Sequence, residues 1–136
     1  GKGLSQIHPF IFEFKGKISG LRSGASIRYQ GFDIGEVDSV DLSYDSVKHT
    51  MVGEVLGGID LSMFIDANRS GFENLKLAVE DGMRAQLKST NPLIDILYID
   101  LIFAENTARS TLTDDKPEGT KFPVTTATGS SIMSEI

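Results

Sequence analysis

Apolar and polar residues alternate along most of this chain, and the repeat is nearly always two. In FIFEF (10–14), Phe10, Phe12 and Phe14 share one side of an expected strand, with Ile11 and Glu13 on the other. A glycine-rich connection, GKISGLRSGA, follows. SIRYQGFDIGEV then reads as a strand pair around Gly31 and Gly35, with Ile27 and Tyr29 before the turn and Phe32 and Ile34 after it. Val40, Leu42 and Tyr44 extend the alternation, and the uneven step from Val37 to Val40 predicts a bulge. After the polar turn DSVKH, a β-favouring stretch runs from Thr50 to Ile65, with a bend expected at Gly57 and Gly58. Beyond it Ile59, Leu61 and Met63 are expected on one face.

Helical spacing is convincing in one place. Phe72, Leu75 and Val79 recur at that period, Asn68 or Ser70 can cap the start, and Gly82 sits where a helix ends. Period two then returns: MRAQLK predicts Met83, Ala85 and Leu87 inward and Arg84, Gln86 and Lys88 outward. LYIDLIF predicts Leu97, Ile99, Leu101 and Phe103 on one face of a further strand. Between the two lies STNPLID, a loop whose tip carries Pro92, Leu93 and Ile94.

Six or seven strands and one short helix, mostly sequence neighbours, predict a mostly β fold, a small antiparallel barrel whose closure hides its edges. From Glu105 the composition turns to Thr, Ser, Asp, Lys, Gly and Pro, with Phe122 and Val124 as an apolar pair; residues 105–131 are expected as a loosely ordered linker. SSIMSEI resembles a capped helix start, with Ser130 or Ser131 ahead of Glu135.

A chain of 136 residues with 40% apolar residues can bury one core. Its net charge of −6 and pI near 4.8 repel a phosphate backbone, so nucleic acid is not an expected partner. Cysteine is absent, which removes disulfides and thiolate chemistry. No run approaches the roughly 18 apolar residues of a membrane span, and GKGLSQIHPF has no signal-peptide core, so a targeting segment is expected outside this chain if the parent is secreted or anchored.

Catalytic chemistry finds little to use. His8 and His49 have no second ligand type at metal-like spacing, and the acidic set Asp33, Glu36, Asp38 and Asp41 lacks the order of a calcium loop. There is no G-x-S-x-G elbow, and GKISG is not a phosphate cradle. No enzyme, metal or cofactor is expected; Asp33 with Asp38 is the least poor choice for an acid–base pair. The unusual feature is the apolar tip at Pro92, Leu93 and Ile94, where polar residues are the norm. Either Leu93 and Ile94 fold back to complete the core, or they face a neighbouring subunit or a lipid.

FEFKGKISGLRSGASIRYQGFDIGEVDSV resembles the opening of the mammalian cell entry (MCE) domain. There a strand leads into G-L-x-x-G-A-x-V-x-[YF]-x-G-x-x-[IV]-G-x-V, met here by Gly20, Leu21, Gly24, Ala25, Ile27, Tyr29, Gly31, Ile34, Gly35 and Val37. LAVEDGMRAQLKSTNPLIDILYIDLIF is similar to the closing segment of that family, a helix, a strand, a loop with paired apolar residues and a last strand. The chain departs from the family at Asp95, where Gly is common, and at Pro92, where Leu is frequent.

The resemblance implies an MCE domain over 9–104, an N-terminal linker at 1–8 and a linker or tail at 105–136. It implies a seven-stranded barrel whose copies form a homohexameric ring, with Pro92, Leu93 and Ile94 in the loop that lines a central pore for phospholipid. The tail FPVTTATGSSIMSEI is similar to a linker of multi-domain proteins of the paraquat-inducible protein B type. These are tethered to the inner membrane of Gram-negative bacteria, work in the periplasm and engage an inner-membrane partner protein. A conduit needs apolar surface rather than reactive groups, at about 25 cal/mol per Å² of apolar area shielded. A structural or adhesive spacer without lipid contact is the competing expectation.

Overall fold

The computed structural model of the chain describes residues 6–91 and 93–125. Its elements are β1 (Ile7–Phe14), β2 (Ser26–Tyr29), β3 (Phe32–Asp45), β4 (Thr50–Asp60), α1 (Gly71–Glu80), β5 (Met83–Asn91), β6 (Ile94–Phe103), β7 (Thr113–Lys116) and β8 (Gly119–Phe122). All the strands join one sheet in the order β5-β6-β2-β3-β4-β1-β8-β7. Among the described residues that is eight strands where seven were expected. The sheet is mixed rather than antiparallel, because β1 with β8 and β2 with β6 run parallel. Both parallel pairs join segments far apart in sequence, which neighbour-by-neighbour reading of turns cannot find.

The sheet curls back on itself. Val124, just past β8, bridges in parallel to Ala85 of β5. Ala85 N–H donates to the Pro123 carbonyl at 3.0 Å, and Thr125 N–H to the Ala85 carbonyl at 2.9 Å. Inside the curl lie Phe10, Phe12, Ile27, Ile59, Ile99, Leu101 and Phe122, each almost fully shielded from water. Phe122 meets Phe10 edge-on at 5.7 Å, so a residue of the expected linker completes the aromatic core.

Local signals explain the elements that the sequence indicates. Ser70 caps α1: its hydroxyl accepts from Glu73 N–H at 3.1 Å, while Glu73 Oε1 accepts from Ser70 N–H at 2.9 Å. Leu75 and Val79 then bury one helix face. A register shift between Val37 and Ser39 is the bulge expected there.

Several expectations are corrected. β4 runs through Gly57 and Gly58 without the expected bend, and a 3-10 turn at Leu61–Phe64 follows, leaving Met63 exposed. The glycines serve close approach instead, since a β-carbon on Gly35 would collide with the Gly58 carbonyl. Ile7 and His8, placed in an N-terminal linker, are the first rungs of β1 against Asp60 and Ile59. The expected loose linker at 105–131 contains β7 and β8, with Leu112, Thr120 and Phe122 buried. Arg84, expected outward, is 2% exposed because the end of α1 and the segment around Ala108 cover its face of β5. Phe103, expected on the core face of β6, is half exposed. The helix start read in SSIMSEI lies outside the described residues.

Candidate functional site

β5 and β6 form an antiparallel hairpin that carries the apolar tip. Short polar side chains fold the turn: Leu93 N–H donates to Asn91 Oδ1 at 2.9 Å, and the Ser89 hydroxyl donates to the Asn91 carbonyl at 2.8 Å. With the backbone satisfied in this way, the turn needs no apolar anchor in the core. Leu93 is 92% exposed, and Ile94 is 50% exposed. Pro92 lies outside the described residues. Ile96, 49% exposed and two residues beyond Ile94 on the same strand face, widens the patch. Sequence reading missed Ile96, although the spacing of Ile94 and Ile96 was its signal.

The glycine-rich segment before β2 holds the base of this hairpin. Leu97 N–H donates to the Gly20 carbonyl at 3.0 Å, and Lys17 Nζ lies 4.0 Å from the Asp95 carboxylate. Both side chains of that ion pair are mostly exposed, so it contributes little to stability. Gly20 matters more, because its missing side chain leaves room for Asp95.

A second exposed apolar group sits on the β3–β4 hairpin: Leu42, Tyr44, Val47 and Met51. Tyr44 pairs with Met51 and Leu42 with Gly53, so Leu42, Tyr44 and Met51 share one face, and Val47 lies in the turn beyond them. Register places this hairpin and the β5–β6 hairpin at the same end of the sheet. Ile59 of β4 is level with Gly35, Ile27 and Ile99, and stepping the same way along β4 and β6 leads to Gly53 and to Leu93.

Several charged groups are engaged structurally. Lys116 Nζ reaches Glu54 at 2.7 Å and Glu13 at 2.9 Å, and Lys121 reaches Glu13 at 2.9 Å. Burial pushes the Glu13 carboxyl up, but hydrogen bonds from Lys116 and Lys121 hold it below the usual range; the bonds to Glu54 and Glu13 raise Lys116. Asp33 is held 3.3 Å from Arg28, and Asp38 occupies the bulge. His8 Nε2 lies 2.8 Å from the Thr120 hydroxyl, which donates to Asp114 at 2.6 Å. Thr120 is buried, so this chain of bonds ties β1 to β8 and offers no accessible nucleophile. Among the described residues no three His, Asp or Glu side chains gather as a metal site, and no helix is long and apolar enough to cross a membrane.

The family model for the MlaD protein matches residues 12–104. Among solved structures, the chain is similar to one from an Acinetobacter MlaFEDB complex in an ATP-bound Vtrans1 conformation. The likeness has a TM-score of 0.55 at 16% identity, covering 97% of this chain and 82% of that one, and is a likeness of fold. Both halves of the glycine and strand pattern fall within the matched span, and the chain belongs to the MlaD family of mammalian cell entry domains.

Proposed function

We propose that this chain is a ring-forming module of a bacterial envelope lipid-transport protein, its apolar loop helping to line a central conduit for phospholipid. The observation that carries the reading is the 92% exposure of Leu93 at a hairpin tip whose backbone is satisfied without it. An isolated leucine at a surface has little meaning, but Leu93 is followed along the chain by exposed Ile94 and Ile96, which share one face of β6. Repeated by the symmetry of a homohexameric ring, Pro92, Leu93 and Ile94 would present a continuous apolar collar, and a head-to-tail interface closes into such a ring when its rotation permits. The parent would be of the paraquat-inducible protein B type, in the periplasm, tethered to the inner membrane and working with a partner protein there. The MlaD family membership and the fold shared with a chain of the MlaFEDB complex support the transport setting.

The test is a photo-crosslinking amino acid at position 93 in the full-length parent, irradiated in living cells and analysed by mass spectrometry. Phospholipid attached at 93, and absent from a control at exposed Lys76, is the expected result. Crosslinks to protein alone would remove the conduit reading and favour the spacer.

A further inference from the structure

Parallel pairing of β1 with β8 ends at Phe12 and Phe122. The next residue, Pro123, has no N–H with which to continue the ladder, and the chain crosses to β5 at the Ala85–Val124 bridge. The end of β1 and the segment after β8 therefore diverge, and a cavity of about 370 Å³ opens between them. Half-buried Leu87 and Val124 give it an apolar lining, backed by Phe14 and Phe122 of the core. Lys15, Lys48 and Lys121 stand around it, with Glu13 as the acidic residue of the lining. Glu13 answers Lys121, whereas neither Lys15 nor Lys48 makes a salt bridge to a described residue.

A chain of net charge −6 thus brings three lysines from three separate segments to the mouth of an apolar cleft. Barrel mouths are common ligand sites, and this volume is near the lower end of the roughly 300–1,000 Å³ typical of them. A cleft of this size admits a hydrocarbon chain of modest length. We infer that the cleft binds the hydrocarbon end of an anionic amphiphile, a fatty carboxylate or one acyl leg of an anionic phospholipid, with the head group against Lys15 and Lys48. The site is separate from the Leu93 loop and does not rest on the role proposed for it.

The test is NMR titration of the 136-residue chain with dodecanoate below its micelle concentration, beside dodecyltrimethylammonium of equal length and opposite charge. Saturable shifts at the Phe14, Leu87 and Val124 amides with the anion, and none with the cation, are expected. The double variant Lys15→Glu/Lys48→Glu, which changes exposed side chains, should weaken dodecanoate binding roughly threefold to tenfold, while Leu93→Asp leaves it unchanged. Tighter binding of dodecanoyl lysophosphatidylglycerol than of dodecanoate would assign the site to phospholipid, and the reverse order to free fatty acid. Equal binding of the cation, shifts confined to residues 93–96, or shifts at the cleft on raising protein concentration without amphiphile would each overturn the inference.

Discussion

Gly20 lies against Asp95 so closely that a β-carbon on Gly20 would stand 2.5 Å from the Asp95 carbonyl oxygen. This contact joins the glycine-rich opening motif to the base of the hairpin that presents Leu93. Gly20→Ala should therefore cost about 1–3 kcal/mol, the range for forcing atoms into a filled space, and should displace amide resonances from Leu93 to Leu97. Because the nearest atom is backbone, adding Asp95→Gly should restore little of the lost melting temperature. Full rescue by that second change would show that the side chain, and not the strand, sets the fit.

Leu93→Asp separates stability from function. An exposed residue outside any special feature changes stability by no more than about 0.5 kcal/mol, so the thermal midpoint should hold while envelope lipid homeostasis fails in the full-length parent. A large drop in the midpoint would mean that Leu93 is core, and would support the spacer.

Arg84 should prove more important than its strand position suggests. Its guanidinium donates to the carbonyls of Val79 at 2.8 Å, Met83 at 2.6 Å and Ala108 at 2.6 Å, closing the end of α1 and pinning the segment after β6. Burial lowers its pKa, but an arginine stays charged. Arg84→Met keeps the stem but takes a charged donor from all three carbonyls; Val79 still accepts from Gly82 N–H at 3.0 Å and Ala108 is exposed to water, so the cost is that of about one acceptor left buried without a partner. Urea unfolding should show a loss of about 1–3 kcal/mol; a loss near zero would mean that water replaces the guanidinium.

His8 gives the fold a dependence on mild acid. Burial lowers its pKa, more than the nearby Asp114 raises it, so the folded value lies below the unfolded one. Below the unfolded value of about 6.5 the unfolded chain binds more protons. Stability is then fully present above that pH and falls as pH drops from there towards the folded value. His8→Gln should flatten the thermal midpoint between about pH 7.5 and 5.5, the range that brackets the unfolded value, and a slope unchanged by the substitution would place the sensitivity elsewhere.

The legible parts of the sequence were those fixed by local chemistry. Ser70 and Gly82 bracket a helix because they satisfy or redirect neighbouring backbone, and Val37 to Val40 reveals a bulge because the alternation slips. β7 and β8 were not legible: four residues each, rich in Thr and Lys, they hold their place through the ladder to β1 and the Lys116 and Lys121 contacts to Glu13. Arg84 was misplaced for a similar reason, since what covers it arrives from Ala108, far along the chain. The glycines at 57 and 58 carried an ambiguous signal, because bends and close backbone approach both call for a missing side chain. At the candidate site the apolar residues Leu93 and Ile94 were visible, while their exposure depended on turn bonds from Asn91 and Ser89.

The parallel ladder between Phe10 and Thr120 also bears on how the molecule is made. During synthesis β1 leaves the ribosome first, and the partner on one of its sides emerges about a hundred residues later. At roughly 5–20 residues per second, that is a wait of roughly 5 to 20 seconds with a phenylalanine-rich strand short of a neighbour. Until that last rung forms, wherever the chain folds, one edge of β1 stays open to pairing with other chains.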